Sequence, residues 1–158
     1  MKRAGNPKLC LACSVGGHLT QLLQLQPFFS KFEHFFITED TRMTREMAKT
    51  ENVKLVKLIN RKKKSFPLLL IYNSTLSLIY LIREKPDVII STGALSAVPV
   101  CYIGKLLGTK VVFIESYAKV TSPTLSGKLV YKVADLFIVQ WEELRSYYPN
   151  AVYGGSIY

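Results

Sequence analysis

The chain has 158 residues, of which 49% are apolar and 11% aromatic. This composition excludes a disordered chain, and the length predicts one domain, residues 1–158, with a full core but without room for a second. The net charge is +10, and the three cysteines, an odd number, favour a reducing compartment over a disulfide framework. Residues 1–8 are polar and basic, which predicts a flexible N-terminus that is neither a signal sequence nor an anchor.

Apolar strands and helices alternate along the whole chain. Strands are predicted at 9–14, 34–38, 53–58, 88–91, 110–115 and 136–139. The helices predicted between them are one that follows Gly17 and is kinked or ended by Pro27, then 42–49, 66–83, 97–107, about 125–133 and 142–148. Residues 151–158 are predicted to be extended. This order indicates an α/β fold, a single Rossmann-like domain with a six-stranded parallel sheet and right-handed crossovers.

Two glycine-bearing loops, 14–18 and 91–96, each follow a predicted strand and precede a helix. Such junctions direct backbone N–H groups at a ligand and favour phosphate or another anion. The loops after the first and fourth strands of a doubly wound sheet flank its ligand-binding crevice, so we expect them side by side at the carboxyl edge. We therefore assign acceptor or phosphate binding to five residues of these loops: Ser14, Gly16, Gly17, Thr92 and Gly93.

Neither loop has the spacing of a known nucleotide motif. The first loop carries two adjacent glycines rather than G-x-G-x-x-G, and no G-x-x-x-x-G-K-[ST] occurs in the chain. Glu39 and Asp40 follow the second strand, where an acid grips a ribose in dinucleotide-binding domains. Without the third glycine, a nicotinamide cofactor is disfavoured, and no cofactor is expected.

Two titratable residues lie at the predicted crevice, and each has two interpretations. His18 is in the first turn of a helix, where a neutral imidazole acts as a general base, or else holds the loop by bonding its backbone. Glu115 ends the fifth strand, where its carboxylate binds the hydroxyls of an acceptor sugar or caps the following loop. Spacing alone does not decide between the two interpretations of His18 or between those of Glu115.

A basic segment runs directly into the longest apolar segment. Residues 52–83 contain no acid and seven Lys or Arg side chains. Part of the apolar helix must be a core crossover, but it is apolar nearly all round, and it is short for a membrane span. An interfacial membrane patch is favoured over nucleic acid, since no RNA-binding motif or basic–aromatic interleaving is present. The patch is assigned to Arg61, Lys62, Lys63, Lys64, Phe66, Leu68 and Leu69.

The cysteines favour a structural role over a chemical one. Cys10 and Cys13 form a C-x-x-C inside the first strand, so their side chains point to opposite faces of the sheet. A redox or metal pair normally lies in a loop or at a helix start. We expect these two residues and Cys101 to be small buried side chains, and we expect no metal site.

Four stretches in this order resemble a single family: SVGGHLTQL at 14–22, PDVIISTG at 86–93, FIES at 113–116 and DLFIVQW at 135–141. The family is the acceptor-side subunit of the two-component N-acetylglucosaminyltransferase of dolichol-linked oligosaccharide synthesis, with bacterial relatives in capsule and exopolysaccharide assembly. The resemblance covers about residues 9–158. It implies the N-terminal half of a GT-B glycosyltransferase, similar to the lipid-linked GlcNAc transferase of peptidoglycan synthesis.

The resemblance also implies partners and a location. The donor-binding catalytic half is a separate polypeptide, and this chain is expected to bind a polyprenyl-diphosphate-linked acceptor at an anionic membrane surface. His18 matches the Gly-Gly-His loop whose histidine is a proposed base or acceptor contact in related transferases. Residues 150–158 lie where a GT-B chain continues into its second half, so Tyr153, Ile157 and Tyr158 are expected to bind the partner, with an edge strand of the same sheet as the alternative.

One departure from the family pattern bears on location and substrate. Eukaryotic members carry an N-terminal transmembrane helix, which this sequence lacks; that favours a bacterial protein attached peripherally to the cytoplasmic face, and it leaves GlcNAc and galactose open as the transferred sugar. Two other classes compete with this interpretation. One is a stand-alone nucleotide- or sugar-nucleotide-binding enzyme, for which no donor motif is recognisable, and the other is a basic RNA-binding module.

Overall fold

The computed structural model describes residues 6–158 as one α/β domain around a seven-stranded sheet. Every neighbouring pair of strands is parallel, and the strand order is β3-β2-β1-β4-β5-β6-β7. The strands are β1 Leu9–Cys13, β2 His34–Glu39, β3 Val53–Val56, β4 Val88–Gly93, β5 Lys110–Ile114, β6 Leu136–Val139 and β7 Val152–Tyr153. The predicted Rossmann-like fold with a parallel sheet is confirmed.

Helices connect the strands and cover both faces of the sheet. They are α1 Gly17–Leu23, α2 Gln26–Phe29, α3 Arg42–Met47, α4 Phe66–Glu84, α5 Ala97–Leu106 and α6 Leu125–Val130, followed by a 3₁₀ helix, Glu142–Ser146. One buried cluster packs α4, α5, α6 and the 3₁₀ helix on the sheet, and a second packs α1 and α2 on the opposite face. β1 lies at the centre and is buried along its full length, as its continuous apolar sequence predicts.

Three of the differences between the structure and the predicted elements concern the sheet edge, Pro27 and the end of β3. A seventh strand pairs Ile138 with Val152 and Val139 with Tyr153, so the extended C-terminal segment adds an edge to the sheet. Pro27 begins a separate short helix, α2, because it fits the first turn of a helix and not its interior. β3 ends at Val56, two residues before the predicted end, and the chain then turns across the carboxyl edge.

The predicted flexible N-terminus is wrong at its last residue, while residues 1–5 of it lie outside the described part of the chain. Lys8 is 7% exposed, and its Nζ lies 2.7 Å from Glu84 Oε2 and 2.8 Å from Glu33 Oε1. Its backbone N–H donates to Asp87 Oδ2 at 2.9 Å. Burial of a charge without partners is costly, so these ion pairs explain how a lysine is buried directly before β1.

Candidate functional site

The two glycine loops meet at the carboxyl edge of the sheet, as predicted. β1 pairs with β4, and Cys13 is in register with Gly93 at the last pair of that ladder. The backbone N–H of Ser14 donates to the carbonyl oxygen of Gly93 at 2.8 Å, and the hydroxyl oxygens of Ser14 and Ser96 are 2.6 Å apart. Because β1 and β4 adjoin at the centre of the sheet, the loops form the floor of a crevice.

His18 is bonded to the second loop, and the bond fixes which ring nitrogen carries hydrogen. Its Nδ1 lies 2.6 Å from the carbonyl oxygen of Thr92. A carbonyl only accepts hydrogen bonds, so Nδ1 must donate, and in the neutral ring the lone pair is then on Nε2. In the reverse direction, the hydroxyl of Thr92 donates a hydrogen bond to the backbone carbonyl of His18 at 2.8 Å. The histidine therefore holds the second loop through Nδ1, which leaves Nε2 without a hydrogen in the neutral ring.

Gly93 makes room for the imidazole of His18. A Cβ at Gly93 would lie 3.2 Å from both His18 Cε1 and His18 Nδ1, which is closer than ordinary contact. Its φ of +94° also lies in the left-handed region, which other residues rarely adopt. The absence of a side chain at Gly93 therefore allows the histidine ring to lie close to the second loop.

Three cavities surround His18 at this edge. The first, of about 260 Å³, lies between the basic segment and the loop before α6, the second, of about 410 Å³, is flanked by aromatic rings, and the third, of about 640 Å³, contains Glu39. Their other principal lining residues are Arg61, Lys119 and Ser126 in the first, Gln21, Tyr117 and Tyr158 in the second, and Ser14, Ile59 and Lys62 in the third. His18 is common to all three.

Glu39 holds the basic segment against the first glycine loop. It is 4% exposed, and its carboxylate accepts hydrogen bonds from the backbone N–H groups of Val15 and Ile59, each at 3.3 Å. Burial raises its pKa above the ordinary value, against the opposing effect of those two bonds. A ribose would have to displace both backbone donors, so the structure gives Glu39 a structural role.

The structure supports the capping interpretation of Glu115 and not its assignment to acceptor binding. Its side chain is fully buried. One carboxylate oxygen accepts from the Ser116 N–H and the Thr124 hydroxyl at 2.8 Å each, and the other from Tyr148 Oη at 2.7 Å and the Thr124 N–H at 3.1 Å. All of its bonding capacity is used inside the protein, where it fixes the ends of the loop 116–124.

The basic segment and the start of α4 lie at the same edge as the crevice. Lys63 and Lys64 are exposed at its outer side, whereas Arg61, which we assigned to the membrane patch, lines two of the cavities. Of the apolar residues predicted for the patch, Leu68 is 72% exposed, while Phe66 and Leu69 are half-buried. The exposed row continues along α4 through Ile71, Tyr72, Leu78, Ile79 and Ile82.

α4 is the one helix of residues 6–158 that is long and apolar enough to cross a membrane by length and composition. Its apolar window has a mean hydropathy of 1.4, and 17% of that window is buried. Both of its ends connect to strands of one sheet, and its inner face buries Asn73, Ser77 and Leu81 against the domain. These connections make α4 a crossover helix with one exposed apolar face.

The residues assigned to partner binding divide between the sheet edge and the crevice. Tyr153 is exposed on β7, the last strand of the sheet. Ile157 instead packs on the domain's own core, and its N–H donates to Gln140 Oε1 at 2.9 Å. Tyr158 contacts Tyr117 with ring centroids 5.1 Å apart and lines the second cavity. The edge-strand alternative therefore holds for Val152–Tyr153, and the last two residues belong to the crevice side.

The cysteines are buried and unpaired, as expected. Cys10, Cys13 and Cys101 are free thiols inside the core, and burial raises the pKa of each, to about 12 for Cys13 and Cys101. A raised pKa keeps them as unreactive thiols. Within residues 6–158, no cluster of three or more His, Cys, Asp or Glu side chains is arranged to hold a metal ion.

Sequence reasoning missed two residues of the site. Lys119 lies in the loop after β5 and lines the first cavity together with Arg61, but in sequence it is one of many lysines. Asn73 sits in the middle of the apolar helix and exchanges hydrogen bonds with the backbone of Lys57 at 2.7 and 2.9 Å. A lone Asn in an apolar helix was the available signal, since a buried amide needs partners.

The sequence matches the family model described as "Oligosaccharide biosynthesis protein Alg14 like" over residues 12–157. The UDP-N-acetylglucosamine transferase subunit ALG14 of Mus musculus is 27% identical over 179 residues, which cover 95% of this chain and 82% of that protein. The subunit of the same name from Candida albicans is 43% identical over 93 residues, or 55% of this chain and 42% of that protein.

Solved structures share the fold at low sequence identity. MurG of Acinetobacter baumannii matches with a TM-score of 0.70 and 16% identity over 87% of this chain and 43% of that chain. UDP-N-acetylglucosamine 2-epimerase of Rickettsia bellii matches with a TM-score of 0.74 and 13% identity over 97% of this chain and 46% of that chain. This chain thus spans less than half the length of these structures and has the architecture of one Rossmann-like half of a GT-B protein. Together with the match over residues 12–157, this places the chain in the Alg14-like family of oligosaccharide biosynthesis proteins.

Proposed function

We propose that this chain is the acceptor-binding and membrane-recruiting subunit of a two-component glycosyltransferase. The complex transfers a sugar from a UDP-sugar to a polyprenyl-diphosphate-linked saccharide. The observation that carries this proposal is the crevice around His18, in a domain that has the size of one GT-B half. The relatives in mouse and Candida albicans are called subunits of a UDP-N-acetylglucosamine transferase, which supports the same assignment.

His18 is the proposed general base. As the acceptor hydroxyl oxygen forms its bond to C1 of the donor sugar, the bond from C1 to the phosphate oxygen breaks and UDP leaves. The proton of the hydroxyl passes to Nε2, which is free because Nδ1 donates to the Thr92 carbonyl. The Thr92 bond also orients the ring, so the geometry supports catalysis and loop structure in one residue.

The donor-binding half comes from a separate catalytic chain in this proposal. The exposed edge of β7 and Tyr153 offer a surface for it at the outer edge of the sheet. Tyr158, which follows β7 in the chain, lines the second cavity together with His18 and contacts Tyr117. An aromatic residue at such a place suits an interface that closes over a bound saccharide.

Membrane attachment is proposed to be peripheral and on the cytoplasmic face, through the exposed row of α4 and the lysines that precede it. Leu68 and Ile71 are the most exposed apolar residues of this row, at 72% and 64%. Lys62, Lys63 and Lys64 stand at the N-terminal end of the helix, and cations beside an apolar face favour anionic headgroups. This surface adjoins the crevice, so a lipid-linked acceptor reaches His18 while its tail stays in the bilayer.

The transferred sugar is proposed to be GlcNAc or galactose, and the product to belong to a capsular polysaccharide, an exopolysaccharide or a lipid-linked oligosaccharide. A stand-alone sugar-nucleotide enzyme is the competing function. It is less well supported because the described domain has one Rossmann unit, whereas the epimerase of similar fold is more than twice as long. Family membership likewise favours the subunit over an RNA-binding module.

The test is transfer by purified components. This chain, its candidate donor-binding chain and the pair are each incubated with a polyprenyl-diphosphate-linked saccharide and radiolabelled UDP-GlcNAc or UDP-galactose. We expect label in the lipid fraction only with both chains present, and with one of the two donors. Turnover of UDP-GlcNAc by this chain alone would instead establish the stand-alone enzyme. A pair that co-purifies but transfers neither sugar would contradict the proposed activity.

A further inference from the structure

Two cations line the first cavity together with His18. Arg61 reaches this cavity from the segment after β3, and Lys119 from the loop after β5. The other lining residues include His18, Thr124 and Ser126, which provide imidazole and hydroxyl groups. The cavity is about 260 Å³ and open to solvent on one side. Positive charge from two separate elements therefore converges on one small polar space.

The segment that carries Arg61 is held in place from two sides. Asn73 of α4 bonds the backbone N–H and carbonyl of Lys57 at 2.9 and 2.7 Å. Two residues later, the Ile59 N–H donates to the buried carboxylate of Glu39 at 3.3 Å. These bonds anchor the backbone immediately before Arg61, so its position over the crevice follows from the fold.

The loop that carries Lys119 is held in a similar way. The backbone N–H of Lys119 donates to the carbonyl of Ser116 at 3.0 Å, and this hydrogen bond closes a turn. Glu115 binds the residues on both sides of the loop, Ser116 and Thr124, as described above. A loop with fixed ends and an internal turn therefore holds the backbone of Lys119 at the cavity before a ligand binds.

Neither cation is neutralised within the described part of the chain. The ion pairs of residues 6–158 do not include Arg61 or Lys119. Glu39 lines the adjoining cavity, but its carboxylate is occupied by the N–H groups of Val15 and Ile59. Two unpaired cations that share a polar cavity are suited to a ligand with two negative charges.

We propose that Arg61 and Lys119 clamp the diphosphate group of the acceptor, one phosphate to each cation, with the attached sugar directed at His18. This inference rests on the proposed function, and it moves the diphosphate contact from the glycine loops to these two side chains. A diphosphate diester carries one negative charge on each phosphate, which matches the two cations. Arg61 supplies a planar fork for two oxygens of one phosphate, and Lys119 a point charge for the other.

Two other phosphate sources share this chemistry, namely the diphosphate of a UDP-sugar and the headgroup of an anionic phospholipid. The proposal selects the prenyl diphosphate because the cavity opens beside the basic segment and α4, where the lipid tail would lie. The experiment therefore has one arm for each of the three sources.

Binding of geranyl-diphosphate-linked GlcNAc and of UDP-GlcNAc to the full-length chain without a partner is measured by calorimetry, and binding to phosphatidylglycerol vesicles is measured by co-sedimentation. The variant R61Q/K119Q is compared with K128Q/K132Q, which loses the same charge at exposed lysines that line none of the three cavities. We expect geranyl-diphosphate-linked GlcNAc to bind the natural chain more tightly than UDP-GlcNAc, although both are diphosphate diesters of equal charge. We expect R61Q/K119Q to weaken the former binding on the order of a hundredfold, and the control less than about threefold.

Three results would overturn the clamp. Equal losses in the two double variants would show general charge attraction, and tighter binding of UDP-GlcNAc would assign the cavity to a nucleotide sugar. A loss of sedimentation with phosphatidylglycerol vesicles, without a loss of binding of geranyl-diphosphate-linked GlcNAc, would assign Arg61 and Lys119 to headgroups. The binding measurement does not require sugar transfer, so its result stands if the transfer assay fails. A binding defect confined to R61Q/K119Q would support the clamp in that case too.

Discussion

The side chains of His18 and Thr92 each bond to the backbone carbonyl of the other residue, at 2.6 and 2.8 Å. This reciprocal pair joins the loop after β1 to the loop after β4, although the two residues are 74 positions apart in sequence. The pair sets the tautomer of the imidazole and holds the crevice floor together. A substitution of either residue therefore acts on loop structure as well as on the proposed chemistry, and the choice of variant has to separate the two effects.

Replacement of His18 by Asn separates the two roles. The Asn amide supplies an N–H donor for the Thr92 carbonyl but has no basic nitrogen. We expect His18→Asn to unfold at nearly the natural urea concentration, while single-turnover transfer by the two-chain complex falls about 10²–10⁴-fold. We expect His18→Ala to show the same decrease in transfer rate and also to lose about 1 kcal/mol of unfolding free energy. A natural transfer rate in His18→Asn would exclude general-base catalysis by this residue.

Thr92→Val tests the other half of the pair. Valine keeps the shape of the side chain but removes the hydroxyl that donates to the His18 carbonyl, and that carbonyl is then left without this partner. We expect the unfolding free energy to fall by about 1–2 kcal/mol in urea titrations. Thr92→Ser retains the hydroxyl and serves as the control. If Thr92→Val is as stable as Thr92→Ser, the hydrogen bond makes no net contribution.

Gly127→Ala tests the buried carboxylate of Glu115. A Cβ at Gly127 would overlap Glu115 Oε2 and would lie 2.6 Å from Tyr148 Oη. Since both groups are fixed by mutual hydrogen bonds, we expect a loss of about 1–3 kcal/mol in unfolding free energy, measured by urea denaturation. Gly17→Ala is the matched control, because a Cβ there meets nothing within 4 Å. Equal stability of the two variants would contradict the packing around Glu115.

Glu84 provides a prediction about acid stability. Its pKa lies below the ordinary value of 4.5 because Lys54 and Lys8 both bond its carboxylate. A lowered pKa in the folded state means that protonation opposes folding, so this contribution is complete above pH 4.5 and is lost as the pH falls below it. We expect Glu84→Gln to be less stable than the natural chain at pH 7, with the difference shrinking on acidification.

The control for Glu84 is Glu46→Gln, which removes a carboxylate from the exposed ion pair of Glu46 with Lys49. Exposed pairs of this kind contribute little to stability, so its unfolding curve should stay close to the natural one at each pH. A Glu84→Gln variant whose deficit is constant from pH 7 to pH 3 would show that the ion pairs are not the cause.

The exposed row of α4 predicts how the chain meets a membrane. Replacement of Leu68 and Ile71 by Ser removes apolar surface without disturbing the core, since these side chains are 72% and 64% exposed. Burial of each is worth about 1.5–3 kcal/mol, so we expect vesicle binding to weaken at least tenfold in co-sedimentation. Leu106→Ser is the control, because Leu106 is 86% exposed at the far end of α5. Unchanged sedimentation of the Leu68 and Ile71 double variant would exclude this surface.

The sequence was sufficient for the fold because its strongest signals are local. The apolar run of β1, the glycines that follow it and the break at Pro86 each depend on neighbouring residues. The seventh strand was predicted only as the alternative to a partner-binding segment, because it has two residues and two residues do not form a period. Pro27 was recognised as a disturbance, but whether it kinks a helix or starts a new one depends on the packing of Phe29 in the core.

The site was harder to predict because its contacts are distant in sequence. Glu115 was recognised as a strand-terminal acid, but its burial depends on Thr124 and Tyr148, which approach from later elements. Arg61 was grouped with its charged neighbours, since nothing local shows that Glu39 and Asn73 hold the preceding backbone over the crevice. A charge pattern identifies which residues are cationic, and only tertiary contacts identify which of them face a cavity.

The hydrogen bond from Tyr148 to Glu115 has a mechanical consequence. Tyr148 follows the 3₁₀ helix beside the outer strand β7, and Glu115 anchors both ends of the loop that carries Lys119. If the outer edge is displaced, the carboxylate loses a buried donor, at a cost of about 1–3 kcal/mol. The order of the Lys119 loop therefore depends on the position of the outer edge of the sheet at β7. A protein that binds this edge stabilises the Lys119 loop without contacting the crevice.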